Sequence, residues 1–303
     1  MATKVNFPYG WKDGIAIRGV PILSTYANNV YYVSSVVGSD TGKSGKTQAK
    51  PLATLTAALA KCTDSKSDII MLMPGHAETV DAAGDIVINK IGAQIIGLGS
   101  GTLRPTFTFA TDTAATITVT AANVGISNCI FTNTKDALVT GISISAAGCE
   151  IRGCTFNYTS TNDALTWITT DANCDGFVFQ DNDCLGDHAG PTEFMTLIGV
   201  DRARIVGNSM VGSYSTAIVN AITTACTNLL IVNNYFANTV IDKLWIDLVA
   251  SSTGRIAYNV GSVVSTAGIT DANIIDAADC QLAENFASDA VGETAKLIGV
   301  VSA

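Results

Sequence analysis

The chain has 303 residues, only 14% of them charged, and a net charge of -9. With a pI near 4.6 and no Lys/Arg-rich run, it lacks the basic track that a nucleic-acid backbone requires. No apolar run approaches a membrane span. Met1 to Gly14 holds no apolar leader core, so the expectation is a protein made in the cytoplasm.

Residues 1–30 read as an N-terminal arm. Phe7-Pro8-Tyr9-Gly10-Trp11 sets three aromatics beside Pro and Gly, an extended or turning segment rather than a helix. Phe7, Tyr9 and Trp11 are therefore candidate partner-binding residues, since dense aromatics in a tail dock either on their own fold or on a neighbour. Residues 31–68 read as a cap. Tyr31 to Ser34 is a strand and Gly38 to Lys50 a polar loop. Pro51 to Ala60 is a helix with Leu52, Leu55 and Leu59 on one face and Pro51 in its first turn. A solenoid's open end exposes unpaired strand edges, and an amphipathic helix can cover them.

Ile69 to Met73 is the next strand, ended by Pro74-Gly75, and Ile86 to Ile88 and Ala93 to Gly99 follow. The run from Tyr31-Tyr32-Val33-Ser34 through Gly38-Ser39-Asp40 and Pro51-Leu52-Ala53-Thr54-Leu55 to Pro74-Gly75 resembles the opening of right-handed, pectate-lyase-like β-helix proteins. Ile88-Asn89-Lys90 and Ile95-Ile96-Gly97-Leu98-Gly99 continue that resemblance. It covers roughly residues 31 to 290. It implies the fold, and it implies two functional contexts, polysaccharide-active enzymes and bacteriophage surface proteins, between which a fold does not choose.

From Val124 a phrase recurs, clearest as Leu229-x-Ile231-x-x-Asn234-x-Phe236. Its Asn position, third from the end of each copy, forms a column at 129, 154, 182, 208, 234, 259 and 285, in steps of 25 to 28 residues. Seven copies at that period mark a stacked repeat. Apolar residues at i and i+2 signal a strand. The column carries Asn182, Asn208, Asn234, Asn259 and Asn285, read as left-handed corner residues whose amides pair along the axis as a structural ladder. Each copy carries a second strand, from Thr116–Thr120 to 273–277. The longest deviation lies between Asp171 and Glu193. The expected fold is all-β: a single-domain right-handed parallel β-helix over 69–290, with the arm, a short capping helix and a C-terminal tail at 291–303.

Of the eight cysteines, Cys129, Cys149, Cys154, Cys184 and Cys280 fall in inward columns and there is no C-x-x-C pair. They read as thiols filling the core, not as disulfides or metal ligands. Glycan hydrolysis needs two carboxylates on one groove. The candidates are Asp181, Asp183, Asp187 and Glu193, with Asp201 and His188 nearby, weighed against plain solvated turn residues or a calcium site. Arg152, Arg202 and Arg204 form no basic stripe, and Trp167 and Trp245 are either core residues or a sugar platform. His76 reads as a lone turn histidine. No metal and no cofactor is expected. The expected role is structural: a homotrimeric capsid decoration or cement protein on the virion surface, bound to a major capsid protein or other virion protein, with neither nucleic acid nor membrane as partner. The alternatives are a phage tailspike that binds and depolymerises a glycan, or a secreted polysaccharide lyase or adhesin.

Overall fold

A computed structural model describes residues 16–17, 20–21, 29–158, 164–265, 274–289 and 295–298. Over these residues the chain winds into a parallel β-solenoid with three long sheets and one short α-helix. One turn shows the plan. Leu229–Val232 lies in the first sheet, Tyr235–Ile241 in the second and Leu244–Leu248 in the third; Gly254–Ala257 then returns to the first, one rung on. The first and second sheets have ten strands each and the third has eight. Strand–crossover–parallel-strand connections take a right-handed sense, as expected of this fold.

The rungs stack because like positions bury like side chains. Ile70, Ile95, Ile126, Ile151, Phe179, Ile205, Ile231, Ile256 and Leu282 pair in register along the first sheet and form one side of the core. In the second sheet Phe107, Phe131, Phe156, Cys184, Met210, Phe236, Gly261 and Ala287 form the facing column. The rings of Phe107, Phe131 and Phe156 stack at 5.7 and 5.0 Å. Ile117, Ile142 and Ile168 align in the third sheet. Trp167 and Trp245 are fully buried in this core, which removes the sugar-platform reading.

The corner between the first and second sheets differs from the sequence expectation by one residue. The left-handed conformation belongs to the position before the Asn column: Asp181, Gly207, Asn233, Tyr258 and Glu284 all have φ between 54° and 69°. A single left-handed residue turns the chain, and the following Asn is left free to use its amide. What reads as one strand with a corner is thus two strands in two sheets.

The cap also differs in detail. The helix spans Leu55–Lys61, not Pro51 to Ala60. Leu52 is held in an extended bridge: its N–H donates to the Tyr32 carbonyl and its carbonyl accepts from Ser34 N–H. Thr54 is the N-cap, its Oγ1 accepting from Ala57 N–H. Leu55, Ala58 and Leu59 are buried against the first turn. Val30–Val33 pairs with Ile69–Leu72, so the first sheet starts within the segment assigned to the cap. At the other end Ala295–Ile298 lies antiparallel on Asn285–Asp289 and covers the edge of the second sheet. In the arm, Ala16–Ile17 and Val20–Pro21 form a small antiparallel pair; Phe7, Tyr9 and Trp11 lie outside the described residues.

Candidate functional site

The five column asparagines form a continuous hydrogen-bonded stack in the core. Asn182, Asn208 and Asn234 each donate backbone N–H and Nδ2 to the Oδ1 of the next Asn, at 2.9–3.1 Å, and Asn259 does the same to Asn285. Each Nδ2 also donates to a main-chain carbonyl, as Asn234 does to Ile205. The stack starts where Cys154 N–H donates to Asn182 Oδ1. These side chains are saturated and buried, so the stack is architecture and offers nothing to a ligand.

The sequence candidates for acid–base chemistry are spread over different faces. Asp181 sits on the left-handed corner, exposed, accepting from Gln180 Nε2. Asp183 is exposed on the outer face of the second sheet. Glu193 opens a strand of the third sheet, Glu193–Thr196, where its Oε1 accepts from Thr166 Oγ1 at 3.1 Å and Thr196 Oγ1 at 2.8 Å. Asp187 and His188 fall in the strand Asp183–Ala189, with side chains outside the description. Asp181 and Asp183 share a neighbourhood; Glu193 does not join them. Asp201 lies at another corner, where hydrogen bonds from Asn228 and Thr227 hold its carboxyl below the usual range and Arg202 pairs with it. Arg152 pairs with Glu150 and donates to Gln180. Among the described residues no group of three or more His, Cys, Asp and Glu side chains is placed to hold a metal ion.

Sequence reading missed a different carboxylate pair. Along the outer face of the third sheet, Thr118, Ser143, Thr169, Thr196, Asn220, Asp247 and Asp276 fall in register. Burial, and then the neighbouring Asp276, push the Asp247 carboxyl upward. The two are far apart in sequence and neither carries a motif; only the register brings them together. At the N-terminal end of this face a trough of about 390 Å³ is lined by Thr116, Thr118, Thr140, Ser143 and Thr169 with Ala and Val methyls, without charge or aromatic ring.

His76 is not a solvated turn residue. Its side chain is fully buried, with Nδ1 accepting from Ser35 N–H at 3.0 Å and Nε2 at 3.1 Å from Glu78 Oε2. Glu78 Oε2 also accepts from Leu55 N–H, the first residue of the helix. The pair therefore ties the cap to the first rung and is committed to structure.

The surface feature that stands out is on the second sheet. The position after each column residue points outward, and in the last rungs it is apolar. Tyr235, Val260, Phe286 and Leu297 pair in register on four neighbouring strands. All four are 44–46% exposed. Ser209 precedes them in the same row and Asp183 precedes Ser209. Alongside runs a second row of small or uncharged side chains, Val211, Ala237, Ser262 and Ser288. The sequence signal was available for Ser209, Tyr235, Val260 and Phe286, since each directly follows a column position.

No family model and no curated protein sequence matches the chain. A rhamnogalacturonan lyase is a similar solved structure, with 12% sequence identity over 85% of this chain and 87% of that chain, and a TM-score of 0.39; a likeness of that degree assigns no activity here.

Proposed function

We propose that this protein is a non-enzymatic structural component of a bacteriophage particle, a decoration or cement protein displayed on the virion surface and attached to a capsid or other virion protein. The observation that carries this reading is the uncharged, partly exposed apolar flank of the second sheet, built into successive rungs of a rigid solenoid. Contiguous exposed apolar surface marks a place of association. The separation of Glu193 from Asp181 and Asp183 supports the same reading, because glycoside hydrolysis needs two carboxylates on one groove. So does the burial of Trp167 and Trp245, which leaves neither for a sugar to stack on. The aromatic arm, with Phe7, Tyr9 and Trp11, is proposed as the anchor on the particle, as aromatic side chains dominate interface energetics.

Two assays test it together. Full-length protein should co-sediment with particles stripped of it, and a variant lacking residues 2–20 should bind at least tenfold more weakly. A panel of bacterial surface polysaccharides should remain intact after incubation. Release of discrete oligosaccharides would replace this reading with a depolymerase.

A further inference from the structure

We propose that Cys129 and Cys154 are a modification site, a stacked thiol pair that a peroxide closes into a disulfide tying two neighbouring rungs. The inference goes beyond the docking reading above and does not depend on it.

Geometry comes first. Cys129 and Cys154 hold the same corner position on adjacent rungs. Each follows a left-handed residue, Asn128 and Gly153, and the residues after them, Ile130 and Thr155, pair in register. Thr155 N–H donates to the Cys129 carbonyl across the same step. Adjacent rungs lie about 4.8 Å apart, inside the Cα separation of about 4.4–6.8 Å that a disulfide spans. The two side chains point the same way, because each Sγ donates at 3.4 Å to the carbonyl two residues back, that of Ser127 or Arg152. Cys154 Sγ also lies 3.9 Å from the Ile126 carbonyl, in the rung of Cys129, and the two thiols are hydrogen-bonded to each other. Elsewhere the thiols are kept apart. Cys184 belongs to the second-sheet column beside Phe156. Val200 stands between Cys174 and Cys226, and Ser252 between Cys226 and Cys280.

The position is also where a tie is missing. The asparagine stack begins at Asn182, whose Oδ1 accepts from Cys154 N–H. Cys154 and Cys129 continue that column towards the N-terminus without an amide to link them. A disulfide there extends the rung-to-rung link past the point where the amides end.

The chemistry follows from burial. The thiols are 0% and 1% exposed, so the oxidant is a peroxide close to water in size. Burial opposes ionisation of Cys154, but the hydrogen bond from the Cys129 thiol and the nearby Arg104 guanidinium bring it below its ordinary value; the same bond pushes Cys129 well up. The Cys154 thiolate attacks a peroxide oxygen, giving a sulfenic acid and hydroxide. Cys129 then attacks that sulfur: the S–S bond forms, the S–O bond breaks, and the hydroxyl leaves with the Cys129 proton as water. Two electrons pass from the two sulfurs to one peroxide. The closing step is unimolecular, because the second thiol is already in contact, and it outruns further oxidation. On the virion reading, the step belongs to a particle that has left the reducing cytoplasm.

The test treats the folded, pre-reduced full chain with hydrogen peroxide, removes the peroxide with catalase, then denatures and alkylates. The parent should show six alkylated cysteines, the eight of the sequence less the joined pair, and peptide mapping should find Cys129 joined to Cys154. Cys184→Ser should form the same link and Cys129→Ser none. The linked protein should melt at a higher temperature than the reduced one. Eight alkylated cysteines after peroxide, recovery of Cys129 and Cys154 as sulfinic or sulfonic acids, or a link mapped to another pair would each overturn the site. A linked form that melts no higher would overturn its role as a tie. Should either variant fail to fold, the parental map decides alone. A link that forms in a protein that binds no particle would leave this site standing and remove the virion reading.

Discussion

Asn234 shows how a single side chain links two rungs. It donates to the Ile205 carbonyl and to Asn259 Oδ1, and its own Oδ1 accepts from Asn208 N–H and Nδ2. It is 1% exposed, so water cannot replace a lost partner. Asn234→Leu should cost about 1–3 kcal/mol for each buried group left without a partner, seen as a lower melting temperature; a parental melt would show that the stack adds no stability. The sequence shows this column as amide-rich, but the left-handed turn it suggests there lies elsewhere. The left-handed residue is its predecessor, which varies among Asp, Gly, Asn, Tyr and Glu and so leaves no signature. Asp247 and Asp276 carry a second residue-level prediction. The folded-state carboxyl of Asp247 titrates above its ordinary value of 3.8 because of burial and then Asp276. A raised carboxylate means that the native state holds its proton more tightly than the unfolded state, so stability falls as pH rises through that range. Asp247→Asn should therefore raise the melting temperature at pH 7, and the gain should vanish below the ordinary carboxylate range. A gain that persisted at pH 3 would point to packing instead.

Among the elements, the capping helix depends on contacts that sequence cannot display. Pro51 suggested a helix start, yet the pairing of Leu52 with the first strand keeps that stretch extended, and Thr54 starts the helix instead. Tertiary pairing overrides local propensity here. The third anchor is His76, whose Nδ1 can accept from Ser35 only in the neutral ring. His76→Phe removes that acceptor and the link to Glu78. Amide exchange should then speed up at least tenfold in residues 30–61 while Leu229–Val232 keeps its protection. Equal exchange in both variants would mean that the cap is held without this pair. The strands of the third sheet were legible because each is a short apolar run set apart from the recurring phrase. Those of the second were not separated from the first, because one left-handed residue interrupts the alternation and only Gly153 and Gly207 among the repeated corners are glycines.

For the whole molecule, the sequence period alone carried the solenoid: apolar residues spaced by one rung have no other way to share a core. The row on the second sheet was not seen, although it stands one place after the column, because single exposed apolar residues are unremarkable until pairing lines them up. Seven of the eight thiols are buried and Cys280 is half-buried. Burial pushes Cys62 and Cys174 up to about 12 and Cys280 to about 11. Alkylation at pH 8 should thus spare the folded protein and modify all eight cysteines once it is denatured; four or fewer reactive thiols after denaturation would mean disulfides. The central claim is that this solenoid works by being placed on a particle. Image reconstruction of bacteriophage particles from a host that expresses the chain tests it most directly. The account predicts density of solenoid dimensions repeated over the capsid shell; density confined to the tail, or no such density at all, would contradict it.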